Sequence, residues 1–177
     1  IFILFLLGFG MKAGLFPMHV WLPEAHPAAP SHVSAIMSGV MIKTGVYGIM
    51  RVMWYVADST ELHTIGLIIL SVGIVTGLWG VILAAVQNDA KRLLAYSSIE
   101  NVGVIFIGLG IATLGQASGN HLVATIALCG ALLHTVNHSL FKSLLFFGAG
   151  NIYSQMHTTL LDKFGGVAKH MPVTAIL

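Results

Sequence analysis

Four ionisable side chains lie inside runs of apolar sequence: Lys12, Lys43, Glu100 and Lys142. A charge at the centre of a bilayer costs about 2.5–3.5 kcal/mol on insertion scales, so four of them need a partner or a use. The use that fits lysine is proton relay. An ammonium withdrawn from water loses its proton far more easily than in solution, whereas arginine stays protonated. A carboxylate moving towards or away from such a lysine would gate the proton. Snorkelling is the ordinary alternative, and it serves lysines within a turn or two of a helix end. Lys43 is near the middle of its apolar run, Lys142 about two-thirds along a longer one, and Lys12 five residues before Pro17. For Glu100 the ordinary alternative is an ion pair with one of these lysines.

The most specific constellation is His134, His138 and Lys142. On a helix, a spacing of four sets successive side chains about 6 Å apart with a drift of only about 40° per step. The three therefore form one polar stripe, with Thr135, Asn137, Ser139 and Ser143 near enough to hold water. Histidine titrates nearest neutrality, which suits it to passing protons. A histidine pair on one helix also serves metal and haem sites. A zinc protease places glutamate directly after its first histidine, where this chain has Thr135. His121 and His134 are spaced for two haems, about 20 Å apart on one helix face, but such a site needs a matching pair on a second helix. His19, His26, His32 and His63 lie near segment ends and do not supply one. Polar packing without transport remains open.

These residues must be held by a membrane bundle. Of the 177 residues, 56% are hydrophobic and only 8% charged, against about a quarter charged in a soluble domain. Spans need about 20 mostly apolar residues. Five such segments and the start of a sixth are expected: Ile1 to about Trp21, His32 to Val56, Leu62 to Gln87, Leu93 to Leu114, His121 to Tyr153, and a sixth from Pro172. They are too long and too unalternating for barrel strands, so the expected class is an all-α, polytopic transmembrane bundle, one domain over residues 1–177. Both ends look cut, and an internal piece of a longer chain is expected. The net charge of +2, with no basic run, gives no reason to expect nucleic acid. Cys129 is the single cysteine, which excludes an intrachain disulfide or a cysteine-ligated cluster built from this chain alone.

Two segments look irregular. Pro17 removes a helix hydrogen bond, and Gly10 and Gly14 loosen the same turn, so this run is either an ordinary kink or a broken helix. A broken helix is tolerated in a membrane only where its freed backbone faces protein or water. The fifth run, 33 residues long, exceeds one span and must tilt, protrude or be interrupted near its middle. The first, third and fifth connections share one side and carry Lys91, Arg92, Lys163 and Lys169, which places that side in the cytoplasm.

Three runs carry a resemblance. Lys12-Ala-Gly-Leu-Phe-Pro-Met-His-Val-Trp-Leu-Pro-Glu-Ala-His-Pro continues through Ala29-Pro-Ser-His-Val-Ser-Ala35. Asp89-Ala-Lys-Arg-Leu-Leu-Ala-Tyr-Ser-Ser98 and His134-Thr-Val-Asn-His-Ser-Leu-Phe-Lys-Ser143 follow in order. Together they resemble the antiporter-like membrane subunits of complex I (NADH:quinone oxidoreductase), Mrp cation/proton antiporters and membrane-bound hydrogenases. Glu24-Ala-His-Pro-Ala-Ala-Pro-Ser31, Met41-Ile-Lys-Thr44 and Ser98-Ile-Glu-Asn101 look most like the large membrane subunit of formate hydrogenlyase and hydrogenase-4.

The resemblance implies two inverted five-helix repeats, each with a broken helix, in a prokaryotic inner membrane. By motif match, Lys12 would be the lysine at the first broken helix and Lys43 the connecting lysine on the next. His134, His138 and Lys142 would belong to the hydrated axis beyond. It also implies partner subunits that hold the iron–sulfur, NiFe or flavin centres, since this chain has no ligand set for them. Protons would be the cargo, or sodium in an Mrp-type antiporter. A non-pumping anchor for a hydrogenase is the remaining alternative.

Overall fold

A computed structural model describes residues 1–56 and 60–176. Its elements are α1 (Phe2–Ala13), α2 (Trp21–Ala28), α3 (Ser31–Tyr55), α4 (Leu62–Ala85), α5 (Ala90–Ala117) and α6 (His121–Met156). A 3-10 turn (Leu161–Lys163) and two short helices, α7 (Val167–His170) and α8 (Pro172–Ile176), follow. Helices α3 to α6 are each long and apolar enough to cross a membrane. The protein is all-α among its described residues, a multi-pass membrane chain.

The first expected span is not one helix. Helix α1 stops at Ala13 because Gly14 takes the left-handed conformation, φ 82°, and its N–H turns back to Gly10 and Met11. Such a φ suits a residue without Cβ. The chain passes Pro17 in a turn and re-enters helix at Trp21. The segment is broken, with α1 and α2 as separate pieces. Pro23 sits in the first turn of α2, where a missing N–H leaves no helix bond unmade.

The remaining ends follow capping chemistry. Asp89 Oδ1 accepts from the Arg92 N–H at 2.9 Å to start α5, and Asn120 Oδ1 accepts from the Val123 N–H at 3.2 Å to start α6. Helix α6 runs 36 residues without interruption, about 54 Å at the standard rise, so it exceeds a bilayer core by protruding or tilting.

Helices α4 and α5 form the tightest pair. Gly73, Gly77 and Gly80 on α4 face Ile107, Gly103 and Glu100 on α5, so closely that a Cβ at Gly103 would lie 2.4 Å from the Gly77 nitrogen. Small residues permit this approach where lipid supplies no hydrophobic drive between helices. Helix α1 packs on α3 in the same way, with Gly45 against the Phe9 carbonyl. The apolar core joins Leu15, Leu22, Ile42, Ile49, Ile69, Ile99 and Phe106, all fully buried.

At one end, three connections meet. The Arg92 guanidinium pairs with Glu24, and the Lys91 Nζ donates to the Ala29 carbonyl at 2.9 Å. The Ala90 N–H donates to Thr159 O at 2.9 Å. The first, third and fifth connections therefore share a side, as the charge pattern requires.

Candidate functional site

Helix α3 contains a π-helical stretch, Met37–Met41, directly before Lys43. Such a bulge widens one turn and redirects the side chains after it. Gly39 lets it press on α6, whose Ser139 hydroxyl donates to the Gly39 carbonyl at 2.5 Å. Ser143 donates to Ala35 O at 3.3 Å one turn on. Two of the four small polar residues noted beside the histidine stripe thus fasten α6 to α3. Thr135 bonds to its own helix at Ala131, and Asn137 points outward and is exposed.

Between these helices the polar side chains meet. The Lys43 Nζ donates to the Ser38 carbonyl and lies 2.5 Å from His138 Nδ1. His138 is fully buried, and its Nε2 has no hydrogen-bond partner among the described residues. The His134 and His138 rings are 6.3 Å apart by centroid, and His134 Nε2 reaches Asn101 Oδ1 on α5 at 3.0 Å.

Lys142 is 1% exposed and donates to the Leu94 carbonyl at 3.2 Å. That same carbonyl accepts from Ser98 Oγ at 2.8 Å, and Ser98 Oγ meets Ser38 Oγ at 2.8 Å, both serines fully buried. Hydrogen bonds therefore join His138 to Lys43, Lys43 to the Ser38 carbonyl, Ser38 to Ser98, and Ser98 with Lys142 at the Leu94 carbonyl. This line crosses three helices inside an apolar bundle. Asn101 and His134 form a separate pair one helical turn from His138.

Ser38, Ser98 and Asn101 were not singled out by residue chemistry. A serine or asparagine in an apolar helix gives little signal alone, because most of them bond back to their own helix. Ser98 and Asn101 are three residues apart, the spacing that places them together on one face of α5. A cleft of about 400 Å³ between α3 and α6 reaches Lys43 past Thr44, Tyr47, Thr135 and Ser139. A larger cavity of about 620 Å³ after α6, lined by His157 and Lys163 among others, does not touch this line.

Two expected residues stand apart. Lys12 occupies the last turn of α1 with an exposed side chain, away from the buried line. Glu100 forms no ion pair: among the described residues the one salt bridge is Glu24 with Arg92. Its carboxylate accepts from Ser97 Oγ at 3.4 Å, because the Lys142 ammonium is taken by the Leu94 carbonyl almost two turns earlier. Its charge still acts at longer range on Lys142 and His134.

The family described as NADH:quinone oxidoreductase/Mrp antiporter, transmembrane, matches residues 1–177. The chain belongs to that family. It is 48% identical over 176 residues to hydrogenase-4 component B of Escherichia coli K12, covering 99% of this chain and 26% of the relative. Formate hydrogenlyase subunit 3 of the same organism is 38% identical over 99% of this chain and 29% of its own length. An NAD(P)H-quinone oxidoreductase chain 4 of Synechococcus is 41% identical over 95% and 30%. A chain in the solved structure of membrane-bound sulfane sulfur reductase, an archaeal respiratory membrane complex, superposes with a TM-score of 0.82. That likeness has 27% identity and covers 96% of this chain and 32% of that one. The chain thus spans between a quarter and a third of these relatives. Within the family it is an antiporter-like membrane segment of the type found in hydrogenase, formate hydrogenlyase and quinone oxidoreductase complexes.

Proposed function

We propose that this segment carries protons for a redox-driven membrane complex of the hydrogenase, formate hydrogenlyase or NADH:quinone oxidoreductase type. One observation carries the proposal: the buried hydrogen-bonded series His138, Lys43, Ser38, Ser98 and Lys142, with the His134 ring one turn away. The histidines and lysines can gain and release a proton, and the serine hydroxyls can turn to pass one on. The Ser38 and Leu94 carbonyls only hold the donors in place. Electron carriers (iron–sulfur, NiFe or flavin centres) belong in this proposal to partner subunits. The end bearing Lys91, Arg92 and Lys163 faces the cytoplasm of a prokaryotic inner membrane. Lys12, on the broken first segment, acts as a gated site.

The test is proton uptake into inverted vesicles holding the full-length parent complex, wild type against Lys142→Ala, with redox turnover recorded in the same sample. Uptake falling by about tenfold or more, with the complex assembled, is the expected result. Uptake at the wild-type level would make the line mere packing. A requirement for sodium in the same assay would favour the Mrp-type exchange instead.

A further inference from the structure

His26 lies outside the line described above, yet it is as completely enclosed as any side chain among the described residues. It sits in α2, is 0% exposed, and neither ring nitrogen has a hydrogen-bond partner among the described residues. Its backbone carbonyl accepts from Ser34 Oγ at 3.0 Å, which fixes α2 to the first turn of α3. The ring lies flat on Phe146, with centroids 4.6 Å apart and planes 16° from parallel. Phe146 is one turn after Lys142 on α6, so the imidazole occupies the next position along the face that carries the polar stripe. Lys91, 5% exposed, donates to Ala29 O three residues after His26 and sits 5.8 Å over the Tyr153 ring. The charges of Lys142 and Lys91 both act on His26.

We propose that His26 is a branch of the proton line, joining Lys142 through water to Lys91 and the loop end of the bundle. This rests on the reading of Lys142 as a relay. Buried polar groups in native proteins are bonded to protein or to ordered water, so two open nitrogens call for water. A neutral imidazole is suited to such a place because one nitrogen accepts while the other donates. Burial, followed by the Lys142 and Lys91 charges, holds the His26 pKa down at about 4, so the ring has no resting charge. A proton arriving through water from the Lys91 end binds at one nitrogen as another leaves the opposite nitrogen towards a neutral Lys142. The ring is then the other tautomer and resets by a half-turn or by the return transfer. Packing alone would be served better by phenylalanine, which stacks on Phe146 equally well and buries no polar atom.

That contrast defines the experiment: proton uptake by inverted vesicles of the full-length complex, per assembled complex, for wild type, His26→Phe, His26→Gln and Lys142→Ala. Phenylalanine keeps the ring stack without nitrogens, and glutamine keeps hydrogen bonds without a shuttling ring. Uptake reduced about tenfold in both, with Lys142→Ala also reduced, supports the branch. Wild-type uptake in His26→Phe makes the residue a packing element, and wild-type uptake in His26→Gln makes it a static water anchor; either overturns the branch. If His26→Phe does not assemble, His26→Gln alone decides. Reduced uptake in Lys142→Ala beside an unaffected His26→Gln sinks the branch and spares the line. Normal uptake in all three sinks both.

Discussion

Lys43 and His138 share one proton position. If the lysine is charged it donates to Nδ1, and the ring keeps its hydrogen on Nε2; if the lysine is neutral, Nδ1–H donates to it. The two groups therefore act as a unit. Removing one strands the other in an interior where an unsatisfied polar group costs about 1–3 kcal/mol. Lys43→Met and His138→Leu are each expected to destabilise the assembled protein and to stop uptake. The double variant should be no worse in uptake than either single and should recover stability, with a coupling of about 1–3 kcal/mol in a thermal-unfolding cycle in detergent. Additive losses would mean that the 2.5 Å contact is incidental. At this scale His134, His138 and Lys142 were legible from spacing alone. Their joining to Lys43 was not, because it depends on where a separate helix bulges. His26 was passed over as a residue near a segment end, since sequence shows no difference between a histidine in a loop and one enclosed beneath it.

The elements set those distances by how closely helices approach. Gly103 and Gly77 stand opposite each other, but their vacant Cβ positions differ. A methyl on Gly103 would strike the Gly77 nitrogen at 2.4 Å, whereas one on Gly77 would meet nothing nearer than the Glu100 carbonyl at 3.7 Å. Overpacking of this kind costs about 1–3 kcal/mol, since backbone cannot step aside as a flexible side chain can. Gly103→Ala is expected to lower the melting temperature of the detergent-solubilised protein, and Gly77→Ala to leave it within error. Equal effects would show that the two helices slide to adapt. The chain has 20 glycines, and which of them carry the close helix packing follows only from register. The π-helical stretch before Lys43 was equally illegible: Met37–Met41 has no proline, a lone serine in it is unremarkable, and the bulge is fixed by Ser139 and Ser143 reaching across from α6. Gly14 and Pro17 marked the weak turn in the first segment, and α1 does end there. The helix from Trp21 to Ala28 was hidden by its prolines, which pattern reading takes as loop punctuation.

For the whole molecule, the polar line matters only if its ends face opposite compartments, and the fold constrains which end is which. The Glu24–Arg92 pair, the Lys91 bond to Ala29 and the Asp89–Leu160 bridge gather three connections at one end. The connection after α5, from Ser118 to Asn120, lies at the other end because α5 and α6 each cross once. Basic residues resist translocation, so the gathered end is expected on the cytoplasmic side. The expectation can be read by thiol labelling in a Cys129→Ser background, because Cys129 is exposed and would otherwise react. Cysteine placed at Ser154, near the gathered end, should react with a membrane-impermeant maleimide in inverted vesicles and be protected in right-side-out ones. Cysteine at Ser118 should show the reverse. If Ser118→Cys labels from the cytoplasmic side, the bundle is inverted, and the His26 branch would open to the compartment that the proposed direction of uptake does not draw from.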